Sequence, residues 1–121
     1  MRRDFTYIDD IVEGVFRCCL KKPQLSENNI GEKKFSAPHK IFNIGNSNPI
    51  ELLKFIEILE KKLDIKAKKI FLPMQAGDVR KTFSDSSLLK DWIGFSPKTS
   101  FECGISEFIK WYLNYYKIKK T

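Results

Sequence analysis

Histidine is almost missing from this chain. His39 is its only example among 121 residues, standing beside Pro38 ahead of an apolar run with no second ligand or nucleophile close in sequence. An ordinary turn residue is the expected role, rather than a catalyst. Cysteine is sparse too: Cys18, Cys19 and Cys103 form an odd count without metal-ligand spacing, two of them adjacent on an expected helix. They read as reduced core residues, and no metal site is expected. Glycine numbers only six, so there is neither a Gly-rich dinucleotide fingerprint nor a Walker motif, and the one strand–turn–helix unit carries a single glycine. A secretory signal and a bilayer-length apolar run are both wanting, which gives the expectation of a cytoplasmic protein with no membrane contact. No internal repeat or low-complexity stretch interrupts the chain.

What is present suits one folded domain over residues 1–121. Hydrophobic residues make up 42% and aromatics 13%, enough apolar surface to offset the entropy of ordering the chain. The formal net charge of +7 raises nucleic acid as a partner. The lysines argue against it, because Lys33 and Lys34, Lys66, Lys68 and Lys69, and Lys117, Lys119 and Lys120 fall at ends and connectors rather than along one stripe. A solvated basic surface is the preferred reading.

Along the chain, residues 3–8 read as a short extended segment. A helix follows, with Asp10 expected as its cap and Glu13 at the capping-box position. Its expected buried face is Ile11, Val12, Val15, Phe16, Cys19 and Leu20. Pro23 ends it, and residues 24–36 read as a long, mobile loop. Residues 40–44 read as a buried strand, followed by a helix capped by Asn48 with Pro49 at its first position and Leu52, Ile56, Leu59 and Leu63 as its stripe. A second strand is expected over residues 69–72. Ser84 or Asp85 can cap a short helix that Gly94 ends in a left-handed conformation. A last helix, capped by Thr99 with Glu102, aligns Phe101, Ile105, Phe108, Ile109, Tyr112 and Tyr116 for core packing.

The stretch from Leu72 to Asp85 gathers loop residues, charges and hydrogen-bonding side chains between two structured elements, as a ligand loop does. Pro73 and Gly77 punctuate it. Asp78 can accept hydrogen bonds from ligand hydroxyls, whereas Gln75, Arg80 and Lys81 offer donors to phosphate or amide groups. A plain polar surface loop would have the same composition.

Four motifs, taken in order, resemble those of nucleotide-sugar epimerases: Arg-Asp-Phe-Thr-Tyr-Ile-Asp-Asp-Ile from Arg3, Phe-Asn-Ile-Gly-Asn from Phe42, Leu-Pro-Met-Gln-Ala-Gly-Asp-Val from Leu72 and Gly-Phe-Ser-Pro-Lys-Thr-Ser from Gly94. The likeness is greatest to UDP-glucuronate 4-epimerases of the extended short-chain dehydrogenase/reductase superfamily. It runs from Arg3 to about Tyr116 and implies an α/β fold, the C-terminal substrate-binding portion of such an enzyme, with short strands, about four helices and the Rossmann core missing. The dinucleotide fingerprint and the catalytic Tyr-x-x-x-Lys pair of the family would then lie upstream. Tyr115 with Lys119, and Tyr116 with Lys120, match that spacing by coincidence in a terminal helix and charged tail.

By the same resemblance, Arg3 matches the arginine that contacts the nucleotide diphosphate and Asp78 the acid that bonds the ribose hydroxyls. Gln75 stands where related galactose epimerases have an arginine, and Arg80 could supply that charge from nearby. The implied role is UDP-sugar binding for an NAD-dependent 4-epimerase, without catalysis by this chain alone and without NAD bound to it. A different class of reading is a non-enzymatic basic module that binds nucleic acid or a separate catalytic partner chain. Expected partners are a weakly held UDP-sugar and a Rossmann domain. An uncovered strand at 41–44 would also let copies of the chain self-associate.

Overall fold

A computed structural model describes residues 1–24 and 38–118. The expected α/β architecture of short strands and four helices is what forms. Strand β1 (Arg2–Arg3) leads to helix α1 (Ile8–Leu20); strand β2 (Ile50–Glu51) runs into α2 (Leu52–Leu63); α3 (Ser87–Ile93) and α4 (Phe101–Tyr115) follow. β1 and β2 pair antiparallel with Arg2 opposite Glu51 and Arg3 opposite Ile50. A single parallel bridge joins Arg2 to Lys81 on the other side of β1.

The first motif follows strand periodicity, in which successive side chains point to opposite faces. Phe5 faces the core, stacked on Phe55 at 5.0 Å and tilted against Phe101 at 5.3 Å. Asp4 and Thr6 face the loops: the Asp4 carboxylate accepts hydrogen bonds from the backbone N–H groups of Ser47, Asn48 and Ser84, and Thr6 Oγ1 accepts from Asn46 N. Behind Phe5, the buried Phe101, Ile105 and Ile109 of α4 meet Phe55, Ile58, Leu59 and Leu63 of α2. A second buried pair, Leu89 and Phe95, lies toward α1 and α3.

Several expectations are corrected. Asp10 does not cap α1, whose N-cap is Tyr7. It sits inside the first turn, buried, and accepts hydrogen bonds from Lys98 N and Thr99 N at 3.3 and 2.9 Å. That engagement moves the α4 cap from Thr99 to Ser100, whose hydroxyl accepts from Cys103 N. Glu13 pairs with Arg17 instead of closing a capping box. Helix α2 begins at Leu52 rather than after Asn48, because β1 draws residues 50 and 51 into extended pairing and Met1 O accepts from Leu52 N. Ser86 is the N-cap of α3, and the adjacent Asp85 carboxylate accepts from Ser87 N at 3.0 Å, which holds its pKa below the usual range. Gly94 ends α3 at φ 64°, as expected.

The strands expected at 40–44 and 69–72 do not form among the described residues, because no neighbouring strand offers them a ladder. The face of α1 expected to be buried is outward: Val12, Val15, Phe16, Cys19 and Leu20 are exposed, while Asp10 and Gly14 are buried. In α4, Phe101, Ile105 and Ile109 enter the core, but Phe108, Tyr112 and Tyr116 remain exposed because α2 covers only part of the apolar arc. The cysteines are free and none is buried, so they are not core residues. The loop expected over 24–36 falls, apart from Gln24, outside the described residues.

Candidate ligand-binding site

Strand β1 holds the site from one side and the loop after Leu72 closes it from the other. The N–H of Arg2 donates to Arg80 O at 2.9 Å, and Arg2 O accepts from Thr82 N at 3.2 Å, so the loop's end is fastened to β1 by its backbone. This clamp brings Arg3 over the loop. Its Nη2 donates to Asp78 Oδ1 in an ion pair, and its Nη1 donates to Val79 O at 2.5 Å. Both side chains are only partly exposed.

The loop makes its own contribution to that geometry. Asp78 N donates to Gln75 O at 3.2 Å, closing a turn whose inner residue Gly77 has φ 86°. Side chains are strained in that left-handed region even though the space around Gly77 is open. Val79 N then donates to Asp78 Oδ1 at 2.8 Å. The second carboxylate oxygen, Oδ2, is engaged by no described residue and can accept from a ligand hydroxyl.

The structure therefore brings Arg3 and Asp78 together and does not add the side chains of Gln75 and Arg80 to them. Gln75 and Arg80 are exposed, and their described hydrogen bonds use main-chain carbonyls. The backbones of Arg2, Arg80 and Lys81 nonetheless meet beside Arg3, a local excess of positive charge that favours an anion. A guanidinium next to a carboxylate suits a ligand with phosphate oxygens beside hydroxyl groups.

Asp4 is the site residue that the sequence reading overlooked. Its Oδ2 accepts from Ser47 N at 3.1 Å and Ser84 N at 2.9 Å, and its Oδ1 from Asn48 N at 3.2 Å. One carboxylate thus ties the turn after Gly45 to Ser84 near the end of the ligand loop. Alternation from Phe5, a core aromatic, was the available signal, since it sends Asp4 to the opposite side. Beside it, Ser86 Oγ both accepts from Gly45 N and donates to Gly45 O, each at 3.0 Å. A Cβ on Gly45 would lie 2.4 Å from Ser84 Cβ, so the space that this glycine leaves is filled by the chain itself.

An apolar cavity of about 550 Å³ lies apart from Arg3 and Asp78, between the start of α1 and α4, with Phe5, Tyr7, Ile8, Phe101, Phe108 and Trp111 in its wall. Burial, and after it the nearby Asp9 carboxylate, raises the Tyr7 pKa above its ordinary value. Its described lining includes Glu107 and has no arginine or lysine. Among the described residues no group of three or more histidine, cysteine, aspartate and glutamate side chains is placed to hold a metal ion. No described helix is long and apolar enough to cross a membrane.

No family model matches the chain. Among curated proteins, UDP-glucuronate 4-epimerase 1 of Arabidopsis thaliana is 42% identical over 117 residues, covering 96% of this chain and 27% of that protein. Among solved structures, the UDP-glucuronic acid 4-epimerase of Bacillus cereus in complex with NAD matches with a TM-score of 0.68 and 30% identity, over 98% of this chain and 32% of its own. The UDP-glucose 4-epimerase of Thermotoga maritima, solved with UDP-glucose, has a TM-score of 0.73 at 22% identity, covering 93% and 32% of the two chains, and shares the fold. This chain spans about a third of the length of the curated relatives it matches first.

Proposed function

The chain corresponds to the C-terminal portion of nucleotide-sugar epimerases, most like the UDP-glucuronate 4-epimerases, and from that premise we propose that it binds the nucleotide diphosphate of a UDP-sugar. Arg3 meets the diphosphate and Asp78 accepts from the ribose hydroxyls. Arg80 adds a second positive charge at the rim, and Gln75 donates an amide hydrogen bond where an arginine would have placed charge. The role is to position the sugar rather than to react with it.

The single observation that supports this reading best is the pairing of Arg3 with Asp78 across 75 residues of sequence. Two groups that the chain could have left apart are held in one place, with one carboxylate oxygen still open. The chemistry that NAD would supply to the complete enzyme is hydride transfer. The residues described here do not fit that cofactor. The glycine of the one strand–turn–helix sequence, Gly45, is backed by Ser84 rather than open to a pyrophosphate.

Nuclear magnetic resonance titration with UDP-glucuronate tests the proposal. Perturbation of amides at Arg3 and from Gln75 to Lys81 supports it, whereas perturbation confined to other surfaces refutes it.

A further inference from the structure

The cavity between the start of α1 and α4 departs from the rest of the chain in charge. Lysine and arginine supply 22 of the 121 residues, yet the described lining holds neither, and its one acidic side chain is Glu107. Aromatic rings make up much of the remaining wall, Tyr7, Phe108 and Trp111 among them. Phe108 and Trp111 lie 5.8 Å apart at an interplanar angle of 38°, and each is about half exposed. The Tyr7 ring comes close to α4 because residue 104 is a glycine: a Cβ there would lie 3.3 Å from Tyr7 Cδ2.

An aromatic ring is negative on its face and attracts a cation, most strongly where water is excluded. Glu107 adds a full negative charge at the same place. Lys110 Nζ pairs with its Oε1 at 2.6 Å from a side chain that is 71% exposed, while Oε2 has no partner among the described residues. So exposed a pair contributes little, and a second cation can share the carboxylate. The negative field reaches Tyr7, whose pKa is raised first by burial and then by Asp9 and Glu107. Hydroxyls in the wall are already engaged: Thr6 Oγ1 accepts from Asn46 N and Ser100 Oγ from Cys103 N. A bare ammonium would bring several N–H donors and a tightly held hydration shell into a wall with few free acceptors. An alkylated ammonium brings neither, and its methyl groups suit the rings. We propose that this cavity is a site for a small quaternary ammonium ion, its head held among Tyr7, Phe108 and Trp111 with Glu107 as counter-ion. A volume of about 550 Å³ falls within the usual range for small-molecule pockets, about 300–1,000 Å³. The site lies apart from Arg3 and Asp78 and does not rest on the UDP-sugar reading.

The test is a magnetic-resonance titration of the full chain with choline and, separately, with its neutral isostere, in which a tert-butyl group replaces the trimethylammonium. Choline should shift the amides of Tyr7, Gly104 and Glu107 and the indole N–H of Trp111 saturably, and the isostere should bind at least tenfold more weakly. Trp111→Ala should weaken choline binding at least tenfold. Glu107→Gln, a change at a half-exposed position that keeps the side chain's shape, should weaken choline at least threefold and leave the isostere unchanged. Arg3→Gln should alter neither, which separates this site from the one proposed for the diphosphate. Equal binding of choline and the isostere would make the cavity a purely apolar one and overturn the proposal. So would the absence of saturable choline binding, or shifts confined to Trp92, the indole that Lys21 and Lys40 already cover.

Discussion

Asp10 Oδ2 accepts a hydrogen bond from the Thr99 amide at 2.9 Å, joining the first turn of α1 to the residue just before the cap of α4. Lys98 N donates to the same oxygen at 3.3 Å. The carboxylate is buried and both bonds to it are part-buried. Asp10→Ala should lower stability by about 1 kcal/mol or more, the cost of removing the acceptor that two part-buried amides share. Urea unfolding checks this. Asp10→Asn, which keeps one acceptor oxygen, should recover part of the loss.

Glu60 supplies a pH-dependent contribution. Its pKa is held below the ordinary value of 4.5, first by the hydrogen bond from Lys69 Nζ at 2.5 Å and then by that from Ala67 N at 2.8 Å. A lowered folded-state pKa gives stability that is full above the unfolded value and is lost as the pH falls through the folded one. Stability should therefore decline from about pH 4.5 downward, and Glu60→Gln should flatten that part of the profile. Urea midpoints measured across this range test it; an unchanged slope in the variant would assign the decline to other carboxylates.

Helix α4 and Asp10 differ in how much of them could be read in advance. Helix α4 was legible because Phe101, Ile105 and Ile109 keep a four-residue period and its neighbours supply a cap. The position of Asp10 was legible, but its partner was not, since a contact spanning 88 and 89 residues leaves no local pattern. The start of α2 was misread for the same reason: Asn48 and Pro49 are good local signals, and pairing with β1 overrides them. Residues 40–44 and 69–72 have strand-like sequences and lack strand neighbours, while the apolar face of α1 has helical periodicity and lacks a cover. Asp78 and Arg3 each lie in a motif that singles them out. Their mutual contact, and the three amides gathered by Asp4, depend on how distant segments meet.

The isolated chain should neither bind NAD nor epimerise UDP-sugars. The reason lies in its residues: no Gly-rich turn is present, and Gly45 is closed by Ser84. Calorimetric titration with NAD should show no saturable heat, and micromolar binding would require a dinucleotide site that these residues do not form.

The positive charge should give only weak binding to nucleic acid. Lysines spread over ends and connectors attract phosphate without reading sequence, so affinity for DNA or RNA should be indifferent to sequence and largely abolished by moderate salt. Fluorescence anisotropy at two salt concentrations measures this. Tight, sequence-selective binding at elevated salt would favour a nucleic-acid module instead.

Arg3 and Asp78 are proposed to act together on one nucleotide diphosphate, and a double-mutant cycle on uridine diphosphate affinity tests this most directly. The chain, Arg3→Gln, Asp78→Asn and the double variant would be compared by magnetic-resonance titration, which reads weak binding. Each single change should weaken binding by about tenfold, or roughly 1.4 kcal/mol, and the double change should cost less than the sum because the residues touch. Affinity unchanged in all three variants would contradict the account, as it would place the ligand away from β1 and the loop that closes on it.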